Sequence, residues 1–113
     1  MPQGKKEPLR QPVFHILLAL SGGDLHGLGI AEEVEEASGG TVELGPGTLY
    51  RSLAEMVDAG LIRSVKAPER DADPRRKYYR ITVAGKAEVS AEAERLEQLV
   101  RAARARNVLP DPA

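Results

Sequence analysis

The chain has 113 residues, enough for one domain with a single modest core and no second lobe. Sixteen Lys plus Arg stand against seventeen Asp plus Glu, so bulk charge announces neither a nucleic-acid nor a membrane partner, and any such partner must be found in local charge. A chain that is 42% hydrophobic and 29% charged should fold, and the lack of cysteine excludes disulfides, thiol nucleophiles, thiolate zinc sites and iron–sulfur clusters.

Residues 1–11 hold Pro2, Gly4 and Pro8 with Lys5, Lys6 and Arg10 and no apolar periodicity, the composition of a flexible basic arm. Pro12 suits a first helical position, and Val13 to Leu20 form a short first helix stopped by Ser21-Gly22-Gly23. Its apolar side chains point in nearly every direction, so it needs cover on more than one side, which suggests a partner chain. A second helix starts between Asp24 and Gly29 and runs to about Ser38, with Ile30, Val34 and Ala37 inward and Glu32, Glu33, Glu35 and Glu36 mostly outward. Thr41 to Leu44 alternates weakly and reads as a very short strand.

Gly45-Pro46-Gly47 leads into a third helix that ends at Gly60 and buries Leu49, Leu53, Met56 and Val57, with Tyr50 and Ser52 flanking that stripe. Leu61 to Lys66 and Lys77 to Thr82 are strand candidates joined by a long charged tip, a hairpin in which alternation places Tyr79 with Ile81 on one face and so favours Tyr79 for the core and Tyr78 for the outside, without settling the pair. Thr82 can cap a helix that continues to about Arg106. In it Val89, Ala93, Leu96, Val100 and Ala103 recur at 4,3,4,3 spacing, the seam of a helix that packs along another. Residues 107–113 form a tail.

Three helices, a hairpin and a last helix are the order of a winged helix-turn-helix, a mainly α fold with a small β-hairpin and here a long C-terminal dimerisation helix. Such a fold presents the leading end of its second motif helix to the major groove and its wing to the backbone. Gly47, Thr48, Tyr50 and Arg51 occupy that leading end: the glycine allows close approach, the hydroxyls can bond phosphate oxygens, and the guanidinium can reach a phosphate or a guanine edge. The plainer alternative is that Tyr50 packs on the second helix while Arg51 is merely solvated. Arg75, Arg76 and Lys77, followed by two tyrosines, form a footprint for a phosphate backbone, against the alternative of a solvated turn neutralised by Glu69, Asp71 and Asp73. The acidic second helix and Glu55 and Asp58 on the third would repel DNA if they faced it.

An enzyme has little to build on. His15 and His26 have no neighbours at metal-ligand spacing, the serines lack an elbow setting, and Gly27-Leu28-Gly29 is too short for a dinucleotide fingerprint, so no cofactor or metal is expected. Apolar runs far shorter than the roughly 20 residues of a membrane span, with no signal-peptide layout, point to a cytoplasmic protein with no membrane partner.

The segments Ile16 to Ile30, Leu44 to Ile62 and Arg75 to Gly85, above all Pro-Gly-Thr-Leu-Tyr and Lys-Tyr-Tyr-Arg-Ile-Thr, closely resemble the PadR family of bacterial winged-helix transcriptional regulators, in its short subgroup with one C-terminal helix. The resemblance implies a homodimer joined by the C-terminal helices with help from the first helix. Phe14 and Leu17 would then join Val89, Ala93, Leu96, Val100 and Ala103 in the interface. It further implies a regulator, usually a repressor, on a pseudo-palindromic double-stranded DNA operator, released by a small aromatic or drug-like effector. Recognition contacts carry over to Thr48, Tyr50 and Arg51, and wing contacts to Arg75, Arg76 and Lys77. Leu28 departs from the tyrosine that relatives often place between the two glycines, and the lack of tryptophan departs from members with an aromatic drug-stacking cavity. By this reading residues 12–81 are the DNA-binding unit and 82–106 the dimerisation helix. The alternative from another class is a winged-helix module that binds protein through the acidic second helix and the C-terminal seam.

Overall fold

The structure, a computed structural model, describes residues 7–112; Lys5 and Lys6 of the expected arm, and the last residue of the tail, lie outside the described residues. Four helices, α1 (Gln11–Leu20), α2 (Gly27–Ala37), α3 (Pro46–Asp58) and α4 (Val83–Ala105), surround a small sheet of β1 (Leu25–His26), β2 (Ile62–Val65) and β3 (Tyr78–Ile81). The strands are antiparallel in the order β1-β3-β2.

Local chemistry explains where the helices begin and end. Pro12 and Pro46 sit in the first turns of α1 and α3, where a missing N–H costs nothing. Gly60, with φ +76°, turns the chain out of α3 in a conformation that side chains other than glycine's resist. Thr82 accepts the Gly85 N–H at 3.1 Å and donates its own hydroxyl hydrogen to the Gly60 carbonyl at 2.6 Å, so one side chain caps α4 and ties it to the end of α3.

The core gathers Ile16, Leu17 and Leu20 of α1, Ile30 and Val34 of α2, Leu49, Leu53 and Met56 of α3, Ile62, Tyr79 and Ile81 of the sheet, and Val89 of α4. Helix α1 lies at its centre, touching α2, α3, α4 and β3. The chain therefore supplies most of the cover for which its sequence suggested a partner; Leu18, 44% exposed, is the apolar residue of α1 left outward.

Several expectations are corrected. Thr41 to Leu44 is not a strand: Ser38 Oγ takes the Val42 N–H at 3.0 Å and Thr41 Oγ1 bonds the Ser38 carbonyl, which closes a loop. The third strand of the sheet is β1, just before α2. Val57 and Ala37 are exposed, and Ser52 takes a buried place in α3. Tyr78 is as buried as Tyr79, because β3 is the central strand and the ring of His26 packs edge-on to Tyr78 at 5.3 Å. Residues 7–10 are not a free arm, since Leu9 packs on the core and Arg10 lies 3.6 Å from Glu55.

Helix α4 starts so close to the sheet that only glycine fits: a Cβ at Gly85 would overlap the Leu61 carbonyl oxygen and sit 2.8 Å from Ile81 Cγ1. Gly85→Ala is expected to cost about 1 to 3 kcal/mol in urea unfolding, whereas Gly47→Ala should stay within about 0.5 kcal/mol. The contrast arises because a Cβ at Gly47 meets nothing within 4 Å.

The loop before β1 is anchored by Arg80, whose guanidinium bonds both Asp24 oxygens at 2.7 to 3.2 Å and holds that carboxyl below its ordinary range. A depressed folded-state value means the pair's stabilisation is in place above the unfolded carboxylate pKa of about 4 and is lost as pH falls through the lower folded value. Asp24→Asn should accordingly melt below wild type at neutral pH, with the two melting temperatures converging as pH drops below about 4.

Candidate nucleic-acid interface

Gly45 places its carbonyl under the Leu49 N–H and starts α3 without a side-chain cap, so the leading turn of this helix carries no side chain folded back over it. Gly47, Thr48 and Arg51 are exposed there, opposite the buried stripe of Leu49, Leu53 and Met56, and Tyr50, beside that stripe, is exposed as well. Tyr50 combines the two expectations made for it. It is 55% exposed, yet its hydroxyl lies so close to Gly27 that a Cβ at that residue would be 2.6 Å from it. The missing side chain at the first residue of α2 is what lets the tyrosine lie across that helix start.

The start of α2 is organised by His26. Its Nδ1 accepts the Gly29 N–H at 3.2 Å, and its Nε2 lies 3.3 Å from Arg76 Nη1. A neutral ring whose Nδ1 accepts carries its hydrogen on Nε2, so this approach brings two donors together and is not a hydrogen bond between them. His26, Gly27, Leu28, Tyr50, Arg76, Lys77 and Tyr79 line one shallow groove of about 260 Å³ between α2, α3 and the wing. Its charged lining is cationic and, among the described residues, no carboxylate lines it, which suits a phosphate oxygen.

Of the recognition and wing residues inferred from the sequence, the structure brings Tyr50, Arg76 and Lys77 together around this groove; Gly47, Thr48, Arg51 and Arg75 are exposed outside it. The tip's acids are partly engaged with its cations. Asp73 Oδ1 lies 3.5 Å from Arg75 Nε and accepts the Arg75 backbone N–H at 3.0 Å, and Asp71 lies 3.9 Å from Arg76 Nε. Glu32, Glu33, Glu35 and Glu36 are exposed and line other surfaces, while Glu55 faces Arg10. His26 had no signal in the sequence as a groove residue, since histidine is not a common helix cap and its neighbour in the groove, Arg76, is 50 residues away.

The inferred dimer residues divide. Leu17, inferred through the resemblance, has no exposed surface, and Val89 of the 4,3 seam is buried; both pack in this chain's own core. Phe14, Leu96 and Ala103 are half-buried, and Ala93 and Val100 are exposed. After Glu92 no residue of α4 is buried, although its outer half carries Leu99, which the 4,3 pattern omitted, besides Leu96 and Val100. Among the described residues there is no group of three His, Asp or Glu arranged to hold a metal ion, and no helix is long and apolar enough to cross a membrane.

Against known proteins, the Transcriptional regulator PadR-like family matches residues 16–91. A PadR family transcription regulator from hypervirulent Clostridium difficile R20291 is similar in structure, with TM-score 0.72 and 27% identity over 85% of this chain and 97% of that one. Bacillus subtilis PadR, solved in complex with operator DNA, gives TM-score 0.64 and 26% identity over 75% of this chain and 46% of that one. F93 from STIV, a winged-helix DNA-binding protein, shares the fold at 21% identity, TM-score 0.67, over 83% and 96% of the two chains. A search of curated proteins gave no match. With the family pattern running from the core of α1 through the motif helices and wing into α4, this chain belongs to the PadR-like family of transcriptional regulators.

Proposed function

We propose that the chain binds double-stranded DNA sequence-specifically as a homodimeric repressor of the PadR-like family, on a pseudo-palindromic operator. The observation that carries this reading is the cationic groove in which the leading end of α3, the start of α2 and the wing meet, with Arg51, Thr48 and Arg75 exposed around it. Residues 12–81 form the DNA-binding unit: α3 enters the major groove with Arg51 toward a base edge, and Arg75, Arg76 and Lys77 hold the backbone. Operator DNA bound by the Bacillus subtilis relative supports the assignment. Residues 82–106 form the dimerisation helix, supported by an outer half of α4 on which Leu99 and Val100 are exposed. A small aromatic effector that releases the repressor belongs to the same reading and is supported by the family resemblance alone.

In a two-fold dimer both α3 helices enter successive major grooves, so half-sites selected from genomic fragments should lie about 10 base pairs apart or a multiple of that. Arg51→Ala should lower operator affinity by roughly 1 to 3 kcal/mol with a smaller loss on random DNA. Arg75→Ala with Arg76→Ala should weaken binding to all DNA and flatten the log K against log salt slope by about 2 units. Binding indifferent to salt would favour the protein-binding module instead.

Leu96→Glu places a charge on the exposed half of α4 and should shift light-scattering mass from dimer to monomer while leaving the circular dichroism spectrum helical. A wild-type protein that is monomeric at tens of micromolar removes the dimer from the proposal.

A further inference from the structure

The wing tip, residues 66–77, contains an acid where a DNA-facing loop has least use for one. The side chain of Asp71 is only 6% exposed. Its Oδ2 accepts the Tyr78 hydroxyl at 2.6 Å and its Oδ1 accepts the Asp73 N–H at 2.8 Å, while Arg76 Nε lies 3.9 Å from Oδ2. Two backbone turns, Asp71 N–H to the Pro68 carbonyl and Arg76 N–H to the Asp73 carbonyl, flank this carboxylate and fold the tip around it. The Tyr78 hydroxyl holds the Asp71 carboxyl below its ordinary range, with the Asp73 N–H adding to the effect, and Asp71 in turn raises Tyr78. Tyr78 also packs edge-on to His26, the cap of α2, so a chain of contacts runs from Asp71 to the helix start beside the groove.

We propose that Asp71 is a positioning residue for DNA binding, a buried carboxylate that folds the wing tip so that Arg76 and Lys77 line the groove. The proposal rests on the DNA reading above and makes a counterintuitive demand of it. Removing a negative charge from a DNA-facing loop should, by Coulomb's law alone, tighten binding. Here removal of Asp71 weakens it, because both carboxylate oxygens are occupied inside the tip and what is lost is the arrangement of two cations.

The test is fluorescence anisotropy with a labelled mixed-sequence duplex over a series of salt concentrations, with melting temperatures measured beside it. Asp71→Ala should bind roughly tenfold more weakly and flatten the salt slope by about 1 to 2 units, the counterion release of Arg76 and Lys77. Asp71→Asn keeps an acceptor for the Asp73 N–H and offers a donor to the Tyr78 oxygen, so it should return to within about twofold of wild type. Glu69→Gln, the same charge change at an exposed position of the tip, should bind as wild type or more tightly. Tyr78→Phe retains the ring against His26 and deletes only the hydroxyl. It should weaken binding in the same direction without adding to Asp71→Ala, and it carries the test if Asp71→Ala melts too low to assay. Binding by Asp71→Ala at or above wild-type strength, equal values for the Ala and Asn variants, or an unaffected Tyr78→Phe overturns the proposal while the DNA reading stands. A wild-type protein that ignores the duplex overturns the DNA reading, and the proposal falls with it.

Discussion

The junction at Thr82 and Gly85 sets the geometry on which every other part of the molecule depends. One threonine hydroxyl bridges the turn after α3 and the first turn of α4, the Thr82 N–H bonds the Leu61 carbonyl at 3.0 Å, and the missing side chain at Gly85 lets α4 press against that same segment. The end of α3, the base of the wing and the start of α4 are thereby fixed to one another within a few residues. A helix of 23 residues, about 34 Å long, then carries that fixed direction away from the core. If α4 joins two copies, the spacing and tilt of two α3 helices are decided here, far from any residue that touches DNA.

Electrostatically, the protein resolves the conflict in its own composition by separation. With a net charge of −1 it has no bulk attraction for a polyanion, yet Arg76 and Lys77 line a groove that no carboxylate among the described residues lines. The acids that share the wing are turned to internal use, Asp71 toward Tyr78 and Asp73 toward the Arg75 backbone, and Asp24 is bound by Arg80. The glutamates of α2 remain exposed on other surfaces. Such an arrangement gives a local field without a global one, which favours docking in one orientation over loose attraction from every side.

Much of the fold was legible because its punctuation is local. Pro12, Pro46, Gly60 and Thr82 act through their own backbone geometry or hydroxyl, and the helix and hairpin boundaries they imply agree with the structure to within a residue or two. What was missed depends on partners distant in sequence. Strand β1 has two residues and exists as a strand only through β3, so it has no periodicity to read, whereas Thr41 to Leu44 had the periodicity but no strand to pair with. Tyr78 alternates outward from Tyr79, yet His26 and Asp71 cover its side of the strand. Val89 fits a helix-pairing pattern equally well whether the neighbour is another chain or this chain's own core, and spacing cannot separate the two. The residues proposed for recognition and for the wing are exposed, as their place on helix and hairpin suggested; the groove that joins some of them required His26 and Gly27, which composition and spacing do not single out.

The central claim is that the leading end of α3 and the wing tip face one duplex while the acidic face of α2 does not. Hydrogen exchange read by mass spectrometry, with and without a saturating DNA duplex, tests it most directly. The account predicts slowed exchange in residues 45–51 and 70–77 and unchanged exchange in 32–36. Protection confined to 32–36, or none at 45–51, would contradict it.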